Sequence, residues 1–247
     1  MSKPSSTSAV LKMMIPDPLP SLRVVFCRDA ALILWISAVH YMAYYCLQAT
    51  MPALCTDNNS LNELQVGLTY LATSVGVVLG VFFNGKLLDI NNRRTAGEVG
   101  FTINKISGDD MRSFPIEKAR TRSANVLIFF DSLVLVSYGR TCARKAHIAV
   151  LLVLQALLGF VQTCIVQTFN TLLVDVFASS PSTASAAGNI TRCALFAGGV
   201  AIVHPLINSL GFGWVFTIIG AMTGIFGLGA ASLIRSKDLN WQSQRQI

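Results

Sequence analysis

Residues Leu64–Leu88 read LQVGLTYLATSVGVVLGVFFNGKLL, twenty-five positions whose single charged side chain is Lys86. A helix needs about 20 mostly apolar residues to cross the hydrocarbon of a bilayer, and this stretch supplies them. Five further segments share its character: Ala30 to Leu54, Ala124 to Gly139, Ile148 to Leu173, about Ala186 to Leu206, and Trp214 to Ile234. The segment from Ala124 is the shortest and contains Asp131, so a helix buried in a core is the alternative for it. Both its neighbours span, and dropping it would put a basic segment on the wrong side. The expected fold class is therefore all-α, a polytopic membrane protein with six transmembrane helices.

Composition agrees. Of 247 residues, 53% are hydrophobic and only 13% charged, against about 25% charged in an ordinary soluble domain. The net charge of +7 does not point to nucleic acid, because the basic residues sit in the gaps between apolar runs. Orientation follows from the excess of Lys and Arg in cytoplasmic segments. With the N-terminus inside, segments 1–29, 86–123, 174–192 and 235–247 hold 16 of the 19 basic residues, and the outer loops hold Arg140, Arg144 and Lys145. Both termini are thus expected in the cytoplasm. The chain divides into an N-terminal segment 1–29, a transmembrane domain 30–234 with a long cytoplasmic loop 89–123, and a tail 235–247. The first 22 residues lack an apolar core and do not read as a secretory signal. The six cysteines, Cys27, Cys46, Cys55, Cys142, Cys164 and Cys193, are scattered without metal-ligand spacing. No catalytic set, no metal site and no cofactor is expected.

Polar residues within the spans are the candidates for function. The first span holds His40, Tyr41, Tyr44, Tyr45 and Gln48, with positions 40, 44 and 48 on one slowly drifting helical face. The fourth holds Gln155, Gln162, Thr163, Gln167 and Asn170. Each such group costs several kcal/mol in hydrocarbon unless it meets a partner or water. Either the two helices share a wet cavity, with Tyr44, Gln48, Gln162 and Gln167 as substrate-facing residues, or they bond to each other in a sealed bundle. Asp131 is the acidic group well inside a span, which makes a proton relay one hypothesis and local pairing another. Small residues four apart, Gly76/Gly80, Ala194/Gly198 and Gly220/Gly224, indicate close helix packing.

After the second span the chain reads Gly85-Lys86-Leu87-Leu88-Asp89-Ile90-Asn91-Asn92-Arg93-Arg94. This G-x-x-x-D-x-x-x-R-R pattern resembles the signature loop of the major facilitator superfamily. Phe114 with Pro115-Ile116-Glu117-Lys118-Ala119-Arg120, Asn170-Thr171-Leu172-Leu173-Val174-Asp175 and Asn189-Ile190-Thr191-Arg192-Cys193 sharpen the likeness to the fungal twelve-span drug:proton antiporters. It runs from about Pro18 to Leu233.

The resemblance implies that the six spans correspond to spans 7 to 12, the C-terminal half of a facilitator fold with its 3+3 inverted repeat. The basic residue of span 4 and the Gly/Pro-rich motif of span 5 belong to an N-terminal half not seen in this sequence. It also implies a gating role for Gly85, Asp89, Arg93 and Arg94, with Asp175 and Arg192 flanking the next inner loop. In physical terms Asp89 would end its helix where a nearby cation is favoured, and the arginines can meet it, a neighbouring helix or anionic headgroups.

The function this implies is proton-coupled export of drugs or small organic cations, with the lipid bilayer, a small-molecule substrate and protons as partners and the plasma membrane as the expected residence. A second half-transporter is the further partner expected. The alternative is a transport-inactive membrane protein, or a half that works only with a partner half.

Overall fold

The computed structural model describes residues 25–26, 28–59, 62–99, 121–144, 146–177 and 180–244. They form six long helices: α1 (Arg28–Asn59), α2 (Glu63–Val99), α3 (Ala124–Ala143), α4 (Ile148–Val176), α5 (Pro181–Leu210) and α6 (Phe212–Gln244). Each is long and apolar enough to cross a membrane. The Phe114–Arg120 stretch lies outside the described residues, as do Cys27 and most of segment 1–29.

Local chemistry sets several of the ends. Pro181 starts α5, where its missing N–H costs nothing. The His147 imidazole Nδ1 accepts the Ala149 amide at 3.2 Å to cap α4. Gly211 alone separates α5 from α6; it adopts φ +79°, and its amide donates to the Ile207 carbonyl at 2.8 Å. That left-handed conformation is the one glycine takes without strain.

Two helices differ from expectation at their ends. α2 continues to Val99, so the motif from Gly85 to Arg94, expected as a loop, is helical. With 37 residues α2 is roughly 55 Å long, well beyond the ~30 Å of hydrocarbon. Its last turns are tied to the entry of α3: Arg122 Nη1 lies 2.6 Å from Glu98 Oε1, and Asn91 Nδ2 donates to Ser123 Oγ at 3.0 Å. α5 begins at Pro181, five residues before the expected start. The short third span is a 20-residue helix that reaches Ala143.

Helix pairing shows the inverted repeat directly. The most extensive contacts are α2 with α4, α3 with α6, and α1 with α5; then come α3 with α4, α1 with α4, and α1 with α6. Exchanging the first three helices for the last three turns α1·α5 into α4·α2 and α1·α6 into α4·α3, while α3·α6 and α1·α4 map onto themselves. An odd number of crossings separates each helix from its counterpart, so the two triplets run in opposite directions. This is a 3+3 inverted arrangement.

The tightest crossings use small residues, since close backbone approach is what holds helices together in lipid. A Cβ on Gly76 would collide with the Ala156 carbonyl, and one on Gly159 would sit 2.7 Å from the Thr73 carbonyl oxygen. Gly220 and Gly224 pack on Val136 and Ser132 of α3. The Ala194/Gly198 pair does not take part: both are exposed, and it is Gly199 that meets Met42 and Cys46 of α1. Two apolar clusters fill the bundle, one around Ile33, Ile128, Ile165 and Phe169, the other around Leu47, Met51, Tyr138 and Phe216. Facing outward, α2 presents Leu64, Leu68, Leu71, Val75, Val78 and Phe82.

Candidate functional site

A cavity of about 300 Å³ lies where α1, α2, α4 and α5 approach one another. Its wall consists of Tyr41, Tyr44 and Tyr45 from α1, Val77 from α2, Gln162, Thr163, Val166, Gln167 and Asn170 from α4, and Arg192 from α5. Of the four residues expected to face a chamber, it brings together Tyr44, Gln162 and Gln167.

Gln48 sits behind the wall. Its Nε2 donates to the Tyr44 hydroxyl at 3.1 Å, and its Oε1 accepts from Gln155 Nε2 at 2.9 Å. The Tyr70 hydroxyl donates to the Gln48 carbonyl oxygen at 3.1 Å. Gln48 thus orients the phenol of Tyr44 and joins α1, α2 and α4. A second polar link, Thr168 Oγ1 to Asn84 Oδ1 at 3.1 Å, holds α4 to α2. These bonds combine the two alternatives open in the sequence: some of the polar groups seal the bundle, and others line a space.

Tyr41, Tyr45 and Phe196 form an aromatic group beside the cavity, with Tyr41 and Tyr45 centroids 4.2 Å apart and Tyr45 edge-on to Phe196 at 5.5 Å. Such offset and edge-to-face arrangements suit ring quadrupoles and keep the rings in place. Gln162 is buried, and its Nε2 has no hydrogen-bond partner among the described residues. A buried donor without an acceptor costs about 1–3 kcal/mol, so this amide is positioned to take an acceptor from a molecule in the cavity.

Arg192 occupies a place that the sequence did not suggest. Because α5 starts at Pro181, Arg192 lies about three turns into the helix instead of flanking a loop. Its guanidinium lies 5.7 Å from the Tyr41 ring centroid, its Nε donates to the Gly188 carbonyl at 3.2 Å and its Nη2 to Asn189 Oδ1 at 2.7 Å. It is the charged side chain on the cavity wall. The other residues expected to gate, Gly85, Asp89, Arg93 and Arg94, are exposed on the C-terminal turns of α2, and Asp175 is half-buried near the end of α4.

Away from the cavity, His40 of α1 and Asp131 of α3 meet in the bundle interior, with Nε2 and Oδ2 4.0 Å apart. Arg140 stacks over Trp214 at 4.9 Å near the α5–α6 turn.

Six apolar helices in an inverted 3+3 bundle, with a polar and aromatic cavity among four of them, define a polytopic integral membrane protein. Comparison with known proteins gives its family. The chain is 31% identical to MFS-type transporter phiD of a fungal species over 86% of its own length and 32% of the relative's. It is 31% identical to MFS-type transporter clz19 of Cochliobolus lunatus over 95% of its own length and 44% of the relative's. Citrate exporter 1 of Aspergillus niger is 29% identical over 79% of this chain and 38% of that protein. No family model matches. The chain belongs to the major facilitator superfamily, and it spans less than half the length of these three relatives.

Proposed function

We propose that this chain supplies the half of a facilitator transporter that corresponds to spans 7 to 12, and that the cavity at Tyr44, Gln162 and Gln167 is its share of the substrate pathway. The transported class is drugs and small organic cations, exported in exchange for protons. One observation carries the reading: a cavity walled by side chains from four membrane-crossing helices, in a chain whose relatives are named transporters. The tyrosine faces favour amphipathic molecules, because an aromatic ring attracts a cation by about 0.5–2 kcal/mol. The transmembrane unit is 30–234, with segment 89–123 and tail 235–247 at the cytoplasmic face of the plasma membrane.

A partner half completes the pathway. The apolar outward face of α2 and the small exposed residues Ala194, Ala197 and Gly198 of α5 are suited to pack against it. The test is uptake or efflux in vesicles that contain this chain alone, or the chain with a matching N-terminal half. Transport only in the combined sample supports the reading. Transport by the chain alone as a monomer overturns the half-transporter model, and none in either sample favours a transport-inactive membrane protein.

A second reading, export of small organic acids, is favoured by Arg192. The described lining carries this cation and no carboxylate, and one relative bears the name citrate exporter. Competition of labelled substrate by organic cations and by carboxylates in the same vesicles separates the two.

A further inference from the structure

We propose that His40 and Asp131 form a proton-binding site between α1 and α3, separate from the substrate cavity. The argument starts from hydrogen positions. His40 Nδ1 lies 2.9 Å from the Ile36 carbonyl oxygen. A carbonyl only accepts, so Nδ1 carries the hydrogen, and in the neutral ring Nε2 is a bare lone pair. That Nε2 is fully buried, has no hydrogen-bond partner among the described residues, and faces Asp131 Oδ2 at 4.0 Å. A bare nitrogen and an ionised carboxylate repel each other. One proton between them removes the repulsion, whether it sits on the ring or on the carboxyl.

Burial sets what else can occupy the site. His40 is 0% exposed and Asp131 3%. With the proton, the pair is neutral overall. Without it, a single negative charge remains inside a membrane-spanning bundle, where charge is expensive. Among the described residues, no neighbouring helix offsets that charge. Between Ala30 and Leu54, α1 carries no other charged residue; α4 carries none between Ile148 and Val174, and α6 none between Phe212 and Leu233. On α3, Arg140 is exposed and stacked on Trp214. On α5, Arg192 lies over Tyr41. The titratable side chain one turn along α1, Tyr44, is engaged with Gln48.

The packing makes room for the ring. A Cβ on Gly227 of α6 would lie 2.8 Å from His40 Cε1 and 2.9 Å from Ile128 Cγ2, so the glycine leaves the imidazole its place. Three helices, α1, α3 and α6, therefore meet at one ionisable pair, and loss of its proton would strain their junction. His40 is next to Tyr41 and one turn from Tyr44, both on the cavity wall. Proton occupancy can thereby bias the wall itself. The link to transport rests on the proton-coupled reading proposed above; proton binding does not.

The test uses the full chain in lipid nanodiscs with ¹⁵N-labelled histidine, assigned by His40→Gln and with His147 and His204 as internal references. The expected result is a His40 ring signal that moves in one step between about pH 4 and pH 10, and whose midpoint shifts or vanishes in Asp131→Asn. A wild-type His40 signal that stays constant over that range marks a fixed structural hydrogen bond and overturns the proposal, with no variant needed. Identical titration in wild type and Asp131→Asn overturns it equally. In the assembled transporter, Asp131→Asn should abolish accumulation driven by a pH gradient while leaving substrate exchange. Titration of the pair without any proton-driven transport leaves the site standing and refutes coupling; proton-driven transport without titration does the reverse.

Discussion

Gln155 Nε2 donates to Gln48 Oε1 at 2.9 Å, and this one bond joins the first helix of each triplet behind the cavity wall. Gln48 also holds the Tyr44 hydroxyl, so the link sets the position of a lining residue. Gln155→Leu leaves Gln48 Oε1 without its donor and Gln48→Leu leaves Gln155 Nε2 without its acceptor, each at a cost of about 1–3 kcal/mol. The double replacement should cost less than the sum of the two, with a coupling on the order of 0.6 kcal/mol, as for other polar pairs in membranes. Unfolding in a double-mutant cycle measures it; strict additivity would mean the two side chains act independently.

Of the glycines between α2 and α4, Gly76 leaves the least room for a side chain. A methyl group there meets the Ala156 carbonyl and carbonyl carbon, which are backbone atoms that cannot rotate aside. Gly76→Ala should therefore destabilise by about 1–3 kcal/mol, the usual cost of overpacking. Gly198→Ala, where nothing lies within 4 Å, serves as the control and should be close to neutral. Thermal unfolding in detergent compares them, and equal effects at the two sites would refute the crossing.

Much of this architecture was legible because hydropathy over about 20 residues reports a crossing directly. Five of the six helices were readable in that way, and the short third span was kept by the placement of the basic residues on either side of it. The overhang of α2 was not legible. Asp89, Asn91, Asn92, Arg93 and Arg94 end the apolar run, and polarity marks the membrane boundary without marking the end of a helix. The early start of α5 had a local signal in Pro181, hidden among Ser, Thr and Ala that read as loop. Missing it misplaced Arg192, whose position on the cavity wall follows from that start. Tyr44, Gln162 and Gln167 stood out as polar side chains within apolar spans, and all three line the cavity. That Gln48 turns behind the wall, and that His40 meets Asp131 ninety-one positions away, depends on how helices cross, which no spacing within one helix encodes.

Topology is tested by labelling introduced cysteines with an impermeant reagent. Cys142 is 3% exposed and makes a poor reporter, so the outer position is read at Arg144, which is exposed. In a background without other accessible thiols, such as exposed Cys193, Arg144→Cys should label from outside intact cells. Lys105→Cys should label only after permeabilisation, because 16 of the 19 basic residues then face inward. Outside labelling at position 105 would end the six-span orientation.

Asp89 and Arg93 lie one helical turn apart and are both exposed near the C-terminal end of α2, a face available to the partner half proposed above. In the assembled transporter Asp89→Asn should lower transport several-fold at unchanged folded yield, since it removes a charge from a helix face and leaves its shape. Arg93→Lys should be milder than Arg93→Ala if the requirement is for positive charge, and as severe if a planar fork is needed. Transport per folded molecule equal to wild type in Asp89→Asn would reduce this segment to membrane anchoring.

The cavity makes the sharpest demand. Tyr44 and Gln162 both line it, but they should fail differently. Gln162 Nε2 is a buried donor without a partner, so Gln162→Ala removes a bond available only to a substrate that brings an acceptor. Affinity for such a substrate should fall about five- to tenfold, in line with about 1–1.5 kcal/mol for a hydrogen bond, while stability holds or improves. Tyr44→Ala removes a ring from the wall and the acceptor of Gln48 Nε2, so both affinity and stability should drop. Tyr44→Phe keeps the ring and loses only the hydroxyl, and it should recover binding of an amphipathic cation better than that of a carboxylate. Arg192→Gln supplies the opposite sign: it should weaken carboxylates and spare or favour cations. The four variants, measured for binding in the assembled transporter against one substrate of each class, assign the cavity. If none of them changes substrate handling, the cavity is a packing void and the polar residues of α1 and α4 serve the bundle alone.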